Sequence, residues 1–156
     1  MRLHICAVGR MRAGPVRDLI DDYVQRAGRT GRPLGIGPVV EHEVEDKKGG
    51  GMIAEADLLA RAIPAGAVIV VLDEHGDVIT SPEFAAMLSK WRDDRQQDVA
   101  FVIGGADGIA RSLRDRAGHA ISFGKMVWPH MLVRVMIAEQ IYRATTILAG
   151  GPYHRA

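Results

Sequence analysis

The segment Gly150–Ala156, with the sequence GGPYHRA, brings three chemically active side chains into consecutive positions. Tyr153 offers an aromatic ring, His154 offers an imidazole, and Arg155 offers a permanent, planar cation. Such a trio can stack on a flat ring, move a proton and bind a phosphate. Because the ends of chains usually fray, this segment has either no role or a place in a site.

The glycine clusters of the chain do not match the common nucleotide-binding fingerprints. The run Gly104–Gly108, GGADG, lacks the G-x-G-x-x-G spacing, and no G-x-x-x-x-G-K-[ST] occurs anywhere in the sequence. Kinases of the P-loop type and Rossmann dehydrogenases are therefore disfavoured.

Metal and covalent chemistry are disfavoured as well. The six histidines show no H-E-x-x-H or similar ligand spacing, and the sequence contains no G-x-S-x-G motif. Cys6 is the only cysteine, which excludes an internal disulfide, and its apolar neighbours predict a core residue rather than a nucleophile. We therefore expect no metal ion and a site that works by binding and orienting its ligands.

An alternation of strand-like and helix-like segments predicts the fold. Strands are indicated at residues 2–8, 39–44, 67–73, 99–105 and 119–123. Helices are indicated at residues 15–27, 52–63, 81–91, 109–117 and 131–148, the third of them capped by Ser81. The third and fourth strands are continuously apolar, which is typical of parallel strands covered on both faces. The pattern predicts a single-domain, doubly wound α/β fold with a mostly parallel sheet.

Three segments follow central strands of this predicted sheet, at residues 72–76, 104–108 and 124–130. In open α/β sheets, ligands bind outside the carboxyl ends of the strands, so these segments are the candidate site. Their glycines would let a ligand approach the backbone closely. Glycine alone favours the simpler explanation of a tight strand-to-helix turn.

Composition and charge narrow the class of protein. The chain has 156 residues, 47% of them hydrophobic, and a net charge of +1, so a polyanionic partner would have to be held by local clusters of cations. We expect no secretory leader at Met1, and the sequence has no apolar run near the roughly 20 residues that span a bilayer. We expect a cytoplasmic protein without membrane contact.

The helix predicted at residues 131–148 is apolar almost all the way round, which indicates burial on more than one face. A subunit interface would supply the second cover in a chain of this size. Arg134 and Arg143 project from opposite sides of this helix, and an internal ion pair with Glu139 is the simplest role for Arg143.

Several motifs together resemble the RlmH family of ribosomal RNA large-subunit methyltransferases, within the SPOUT superfamily. They are VIGGADG at 102–108, SFGKMVWPHMLVRVMIAEQIYRA at 122–144 and PYHR at 152–155. The opening strand, the LDEHG segment and the TSPEFA helix start also resemble the family, so the similarity runs from end to end.

This resemblance implies a Rossmann-like SPOUT domain over residues 1–156, whose C-terminal part, roughly 99–156, is threaded into a trefoil knot, a rare exception to the unknotted rule. It also implies a homodimer that uses S-adenosylmethionine. The implied reaction is methylation of N3 of a pseudouridine in 23S rRNA, on the assembled ribosome.

Carried over position by position, the resemblance places the cofactor in the pocket that the strand ends predict. The implied cofactor-binding residues are Leu72, Asp73, Gly104, Gly105, Phe123, Gly124, Lys125, Met126, Val127, Trp128 and Pro129. Phe123, Met126 and Val127, with the neighbouring peptide groups, would supply apolar walls and hydrogen bonds for an adenosine. Simple packing at a subunit interface is the alternative for Trp128.

The residues implied in catalysis are His130, Arg134, Tyr153, His154 and Arg155. In this hypothesis Tyr153 stacks on a base, Arg155 binds a phosphate, and His154 orients or deprotonates the uracil, with the segment of one subunit completing the pocket of the other. The alternatives are a helix cap for His130 and an ion pair for Arg134.

Two further hypotheses stay open at this point. One is a SPOUT methyltransferase that acts on tRNA. The other is a non-catalytic nucleotide-binding or ribosome-associated module, which would bind the cofactor or the ribosome without turnover.

Overall fold

A computed structural model describes residues 1–155. Within that range every predicted strand and helix is present. The strands are β1 (Arg2–Val8), β2 (Val39–Val44), β3 (Val68–Val78), β4 (Asp98–Ile103) and β5 (His119–Ser122). The helices are α1 (Pro15–Gly31), α2 (Gly51–Ala62), α3 (Ser81–Asp93), α4 (Arg111–Arg116) and α5 (His130–Leu148), with a short 3-10 turn at Arg32–Leu34.

The five strands form one sheet in the order β2-β1-β4-β3-β5, and every neighbouring pair is parallel. Helices α1, α3 and α5 cover one face, while α2 and α4 cover the other. This confirms the α/β class and the parallel sheet. It also places the carboxyl ends of all five strands at the same edge of the sheet.

The side chains of alternate residues of β1 pack into two hydrophobic cores, one on each face of the sheet. Leu3 and Ile5 point to the face covered by α1, α3 and α5, and Cys6 points to the face covered by α2 and α4. Cys6 is fully buried, and burial raises the pKa of its thiol to about 12. This burial confirms the prediction that Cys6 is a core residue. Its raised pKa also means that little of the reactive thiolate is present at neutral pH.

Strand β3 runs further than the sequence predicts. Leu72 and Asp77 both pair with Ile121 of β5, so residues 73–76 bulge out of the sheet before the strand resumes. The predicted LDEHG loop after β3 is thus an insertion within the strand. Periodicity does not reveal it, because the register shift depends on the partner strand.

The prediction that Ser81 caps α3 is wrong. Thr80 is the cap: its side chain accepts a hydrogen bond from the Glu83 amide at 3.2 Å, and the Glu83 carboxylate accepts from the Thr80 amide at 2.6 Å. This reciprocal pair needs Glu three residues after the cap, a spacing that Thr80 has and Ser81 lacks. Ser81 instead donates to Gln140 of α5 at 2.7 Å.

The knot implied for residues 99–156 stays a prediction.

In the part of the chain that is described, no helix has the length and apolar character needed to cross a bilayer.

Gly76 is where the bulge of β3 meets β5 at closest range. A Cβ at this position would lie 2.7 Å from backbone atoms of Ala120 and Ile121. We expect Gly76→Ala to lower the free energy of unfolding by about 1–3 kcal/mol, because backbone atoms cannot move aside as a flexible side chain can. Urea denaturation measures this change.

Gly28→Ala is the matched control. This glycine lies inside α1, and a Cβ there meets nothing within 4 Å. We expect it to raise the free energy of unfolding by about 0.5–1 kcal/mol, since alanine loses less backbone entropy in a helix. Equal stabilities for the two variants would contradict the close packing of β3 on β5.

Candidate functional site

A cavity of about 320 Å³ opens at the carboxyl edge of the sheet. Its walls come from residues 72–75 after the straight part of β3, residues 103–109 after β4, and residues 121–128 at and after β5, without Lys125. His130 and Val133 of α5 close one side. The cavity therefore lies where the strand order and the glycine segments predict a ligand site.

The structure brings together most of the residues that the resemblance assigns to a cofactor. Those that line the cavity are Leu72, Asp73, Gly104, Gly105, Phe123, Gly124, Met126, Val127 and Trp128. Lys125 and Pro129 belong to the same connection but do not line the cavity.

The wall after β4 is a tight turn that only glycine permits. A Cβ on Gly104 would lie 2.4 Å from the Gly108 carbonyl oxygen, and Gly108 itself has a φ of +83°. The Gly108 amide closes the turn by donating to the Gly105 carbonyl at 3.0 Å. The explanation of a tight turn is confirmed, and the turn also presents bare backbone to the cavity, which is compatible with the predicted ligand site.

A carboxylate from α2 lies behind this turn. A Cβ on Gly105 would lie 2.8 Å from Oε2 of Glu55 and 3.2 Å from Cγ1 of Val8. Glu55 Oε2 is buried and has no hydrogen-bond partner among the described residues. Gly105 is therefore packed closely by side chains from both β1 and α2.

Asp73 is held by a residue that the sequence analysis missed. Arg114 of α4 lies in the cavity wall, with its Nη2 atom 2.6 Å from Asp73 Oδ2. The amide of His75 donates to the other carboxylate oxygen of Asp73 at 2.9 Å. The two charges largely cancel at this wall. No spacing in the sequence indicates the pair, since it joins two different elements.

The rim of the cavity is apolar and exposed. We call Met126, Val127, Trp128, Met131 and Leu132 the apolar lip; their exposed fractions are 73%, 79%, 40%, 42% and 39%. Exposed apolar side chains grouped in one segment are a common feature of surfaces that bind a ligand or another chain.

His130 lies beside the lip and lines the cavity as an exposed side chain. The N-cap position of α5 is occupied by Pro129, and no side chain caps the helix. The alternative in which His130 serves as a cap is therefore wrong, and its imidazole faces the cavity without a described hydrogen-bond partner.

Arg134 lies outside the cavity, and its side chain is only 2% exposed. Its guanidinium donates to Glu43 Oε2 at 2.7 Å and to the Gly9 carbonyl at 2.9 Å. Burial alone would raise the pKa of the Glu43 carboxyl, but hydrogen bonds from the Met11 amide and from Arg134 outweigh that effect and lower the pKa. The ion-pair alternative for Arg134 is what the structure shows.

The final segment turns back along α5. Gly150 has a φ of +72°, and the Gly151 amide donates to the Thr146 carbonyl at 2.9 Å. This conformation reverses the chain and brings Tyr153 against the outside of the helix.

Tyr153 is anchored by an ionic cluster on α5. Its hydroxyl donates to Glu139 Oε1 at 2.9 Å, and the Arg143 guanidinium lies 4.7 Å from the centre of its ring. Arg143 also donates to Glu139 at 2.7 Å, as the sequence predicts. Burial, followed by the hydrogen bond to Glu139, raises the pKa of the Tyr153 hydroxyl well above its ordinary value. His154 Nδ1 lies 3.3 Å from Arg143 Nη1, and Arg155 is exposed.

Within one chain, the cavity and the final segment lie at different places along α5. His130 begins this helix and Glu139 follows nine residues later, a separation of roughly 14 Å along the helix axis. The structure therefore places His130 at the cavity and places Arg134, Tyr153, His154 and Arg155 away from it. Their catalytic roles stay predictions.

Known proteins resemble this chain over almost its whole length. The family model described as "Predicted SPOUT methyltransferase" matches residues 1–154. A Paracoccus denitrificans protein named "Ribosomal RNA large subunit methyltransferase H" is 68% identical over 155 residues, and a Ruegeria protein of the same name is 66% identical over 155 residues. In both comparisons 99% of each chain is covered.

Among solved structures, the SpoU methyltransferase AviRb from Streptomyces viridochromogenes, crystallised with AdoMet, is 18% identical with a TM-score of 0.45. That match covers 96% of this chain and 59% of the AviRb chain. The chain belongs to the SPOUT methyltransferase family, in the group of the large-subunit rRNA methyltransferases H that its motifs resemble.

Proposed function

We propose that this protein uses S-adenosylmethionine to methylate N3 of a pseudouridine in the 23S rRNA of the assembled ribosome. Membership of a methyltransferase family and the names of the relatives support the reaction class and the RNA substrate. The observation that carries the proposal is the cavity itself. Residues from three separate connections that the family resemblance assigns to the cofactor line one pocket.

The residues around the cavity fit S-adenosylmethionine. Ile103, Ile121 and Phe123 offer apolar surface for an adenine ring, and the bare backbone at Gly104 and Gly105 offers hydrogen bonds without steric hindrance. Glu74 and Asp107 also line the cavity, and neither forms a salt bridge among residues 1–155. Their charge favours a cationic ligand. When bound, this cofactor supplies an electrophilic methyl group on a sulfonium.

The chain then has to hold the acceptor nitrogen in line and help it lose a proton. We assign the acceptance of this proton to one of two imidazoles, that of His130, exposed at the cavity, or that of His154, in the final segment. Tyr153 would serve as a stacking ring rather than as a base, because its raised pKa keeps the hydroxyl protonated. Arg155 would bind a phosphate of the substrate.

We assign the active form to a homodimer in which the final segment of one subunit completes the cavity of the other. Two observations support this. The apolar lip is exposed in a single chain, and burying it against a second copy would remove it from water. Glu139, which anchors Tyr153, also lies roughly 14 Å along α5 from His130 of the same chain, and the segment of a partner would bring the two together.

We expect the protein in the cytoplasm, where its proposed substrate lies. The reaction requires neither a metal ion nor a membrane.

The first test is transfer of labelled methyl from S-adenosylmethionine to ribosomes from cells that lack this gene. We expect label in 23S rRNA from assembled particles and little label in separated subunits or in free tRNA. Label in tRNA would support the tRNA methyltransferase instead. Cofactor binding without any label would support the non-catalytic module, and either result would overturn the proposal.

Removal of residues 152–156 tests the final segment. We expect methyl transfer to ribosomes to fall by about 100-fold or more, the usual scale for losing general acid–base and positioning groups. The affinity for S-adenosylmethionine, measured by calorimetry, should stay within about twofold, since the walls assigned to the cofactor come from residues outside the segment. Full activity of the shortened chain would exclude a role for Tyr153, His154 and Arg155.

Mixing two inactive variants tests whether the segment acts across the dimer. The first variant carries Gly104→Ala, whose Cβ would clash with the Gly108 carbonyl and distort the cavity wall. The second variant lacks residues 152–156. After subunit exchange we expect about one quarter of the wild-type activity, since half of the dimers are mixed and each mixed dimer has one complete site. If the segment serves its own chain, mixing restores nothing.

A further inference from the structure

The connection between β1 and α1, residues 9–14, carries two arginines that the proposed reaction does not use. We call it the arginine loop. Arg10 and Arg12 are both exposed. Neither takes part in a salt bridge with any residue in the range 1–155. In a chain with a net charge of +1, two unpaired cations this close together form a distinct local positive charge.

The buried side chain of Arg134 holds the start of the arginine loop in place. The Arg134 guanidinium donates to the Gly9 carbonyl at 2.9 Å and to the Val8 carbonyl at 3.3 Å, which fixes the start of the loop. Glu43 of β2 accepts from Arg134 and also from the amide of Met11. The Met11 side chain packs against the core. The residue between the two arginines is thus anchored inward, and Arg10 and Arg12 are held on the outside.

Stability alone does not explain this arrangement. Arg134 is almost fully buried, and its Nε atom has no hydrogen-bond partner among the described residues. A buried ion pair often stabilises a protein no better than apolar residues of the same size, because both charges must leave water. What the pair does provide is a defined geometry for the loop that it holds.

The arginine loop begins beside the cavity. Strand β1 pairs with β4, and Val8, the last residue of β1, packs behind Gly105 in the cavity wall. Since all five strands are parallel, the arginine loop and the cavity share one edge of the sheet. A nucleic acid strand with one base at the cavity would pass near Arg10 and Arg12.

We propose that Arg10 and Arg12 bind backbone phosphates of the rRNA beside the target nucleotide, and that Arg134 is the positioning residue that holds them there. The inference rests on the proposed function, since it concerns the same substrate. A guanidinium presents several donors in one plane and matches phosphate oxygens, so two of them on a rigid loop suit a regular polyanion. Phosphate contacts orient an RNA without reading its sequence.

The test is the double variant Arg10→Gln/Arg12→Gln, with binding to ribosomes and to a 23S rRNA fragment measured at several salt concentrations. We expect affinity to fall roughly tenfold, and the slope of log affinity against log salt to become shallower by roughly two, because two phosphate contacts are lost. Binding of S-adenosylmethionine should be unchanged.

The matched control is Arg61→Gln/Arg95→Gln. Both arginines are exposed, and they lie at the other edge of the sheet, in the last turn of α2 and just before β4. This control changes the net charge by the same amount as the test variant, but at a distance from the cavity. We therefore expect its ribosome affinity to stay within about twofold of wild type. Equal losses in the two double variants would overturn the inference, as would a loss of affinity with an unchanged salt slope, which would point to a protein contact.

Arg134→Lys tests the positioning role. Lysine keeps the charge but lacks the planar fork, so we expect the same weaker binding and shallower salt dependence. Adding Arg134→Lys to the Arg10→Gln/Arg12→Gln variant should then cause no further loss, since the three residues act as one unit. If Arg134 had only a structural role, adding Arg134→Lys would instead weaken ribosome binding further.

The two proposals fail in different ways. If the wild-type protein neither binds nor methylates ribosomes, the proposed function fails and the inference fails with it. If the wild type is active and the Arg10→Gln/Arg12→Gln variant behaves like its control, only the inference fails.

Discussion

The parallel arrangement of all five strands is the constraint on which the rest of this structure depends. It places every strand-to-helix connection at one edge of the sheet, so segments more than 50 residues apart in sequence, such as 72–75 and 126–128, become walls of one cavity. The cavity needs close backbone approach as well as proximity. Gly104 meets the Gly108 carbonyl and Gly76 meets the backbone of β5, and a side chain at either position would separate elements that the cavity requires together.

Helix α5 organises the charged chemistry along its length. Its first turn faces the cavity through His130, its second holds the arginine loop through Arg134, and its later turns anchor the final segment through Glu139 and Arg143. One helix thus connects the cavity, the proposed RNA contact and the proposed catalytic segment. Because a helix rises about 1.5 Å per residue, His130 and Glu139 are separated by roughly 14 Å along the axis of α5.

Charge in this protein is local rather than global. Asp73 is balanced by Arg114 in the cavity wall, and Glu43 is balanced by Arg134 beneath the arginine loop. Such pairing removes much of the field that the paired groups would otherwise produce. Arg10 and Arg12 keep their charge unbalanced by any salt bridge among residues 1–155, in a loop at the same edge of the sheet as the cavity.

The sequence by itself determined the elements and the location of the pocket. Runs of β-branched residues, helical spacing and glycines after strands depend only on local geometry, so they predicted the parallel α/β sheet, the buried Cys6 and the three connections that line the cavity. The motifs at 102–108, 122–144 and 152–155 also identified the family. Only the tertiary structure decided which distant side chains meet. The bulge of β3 depends on the register with β5, the pairing of Asp73 with Arg114 depends on how α4 returns to the sheet, and the burial of Arg134 depends on β1 and β2 passing beneath α5. Each of these contacts joins elements far apart in the chain, and local periodicity carries no information about such pairings because they are set by register and by the packing of whole elements.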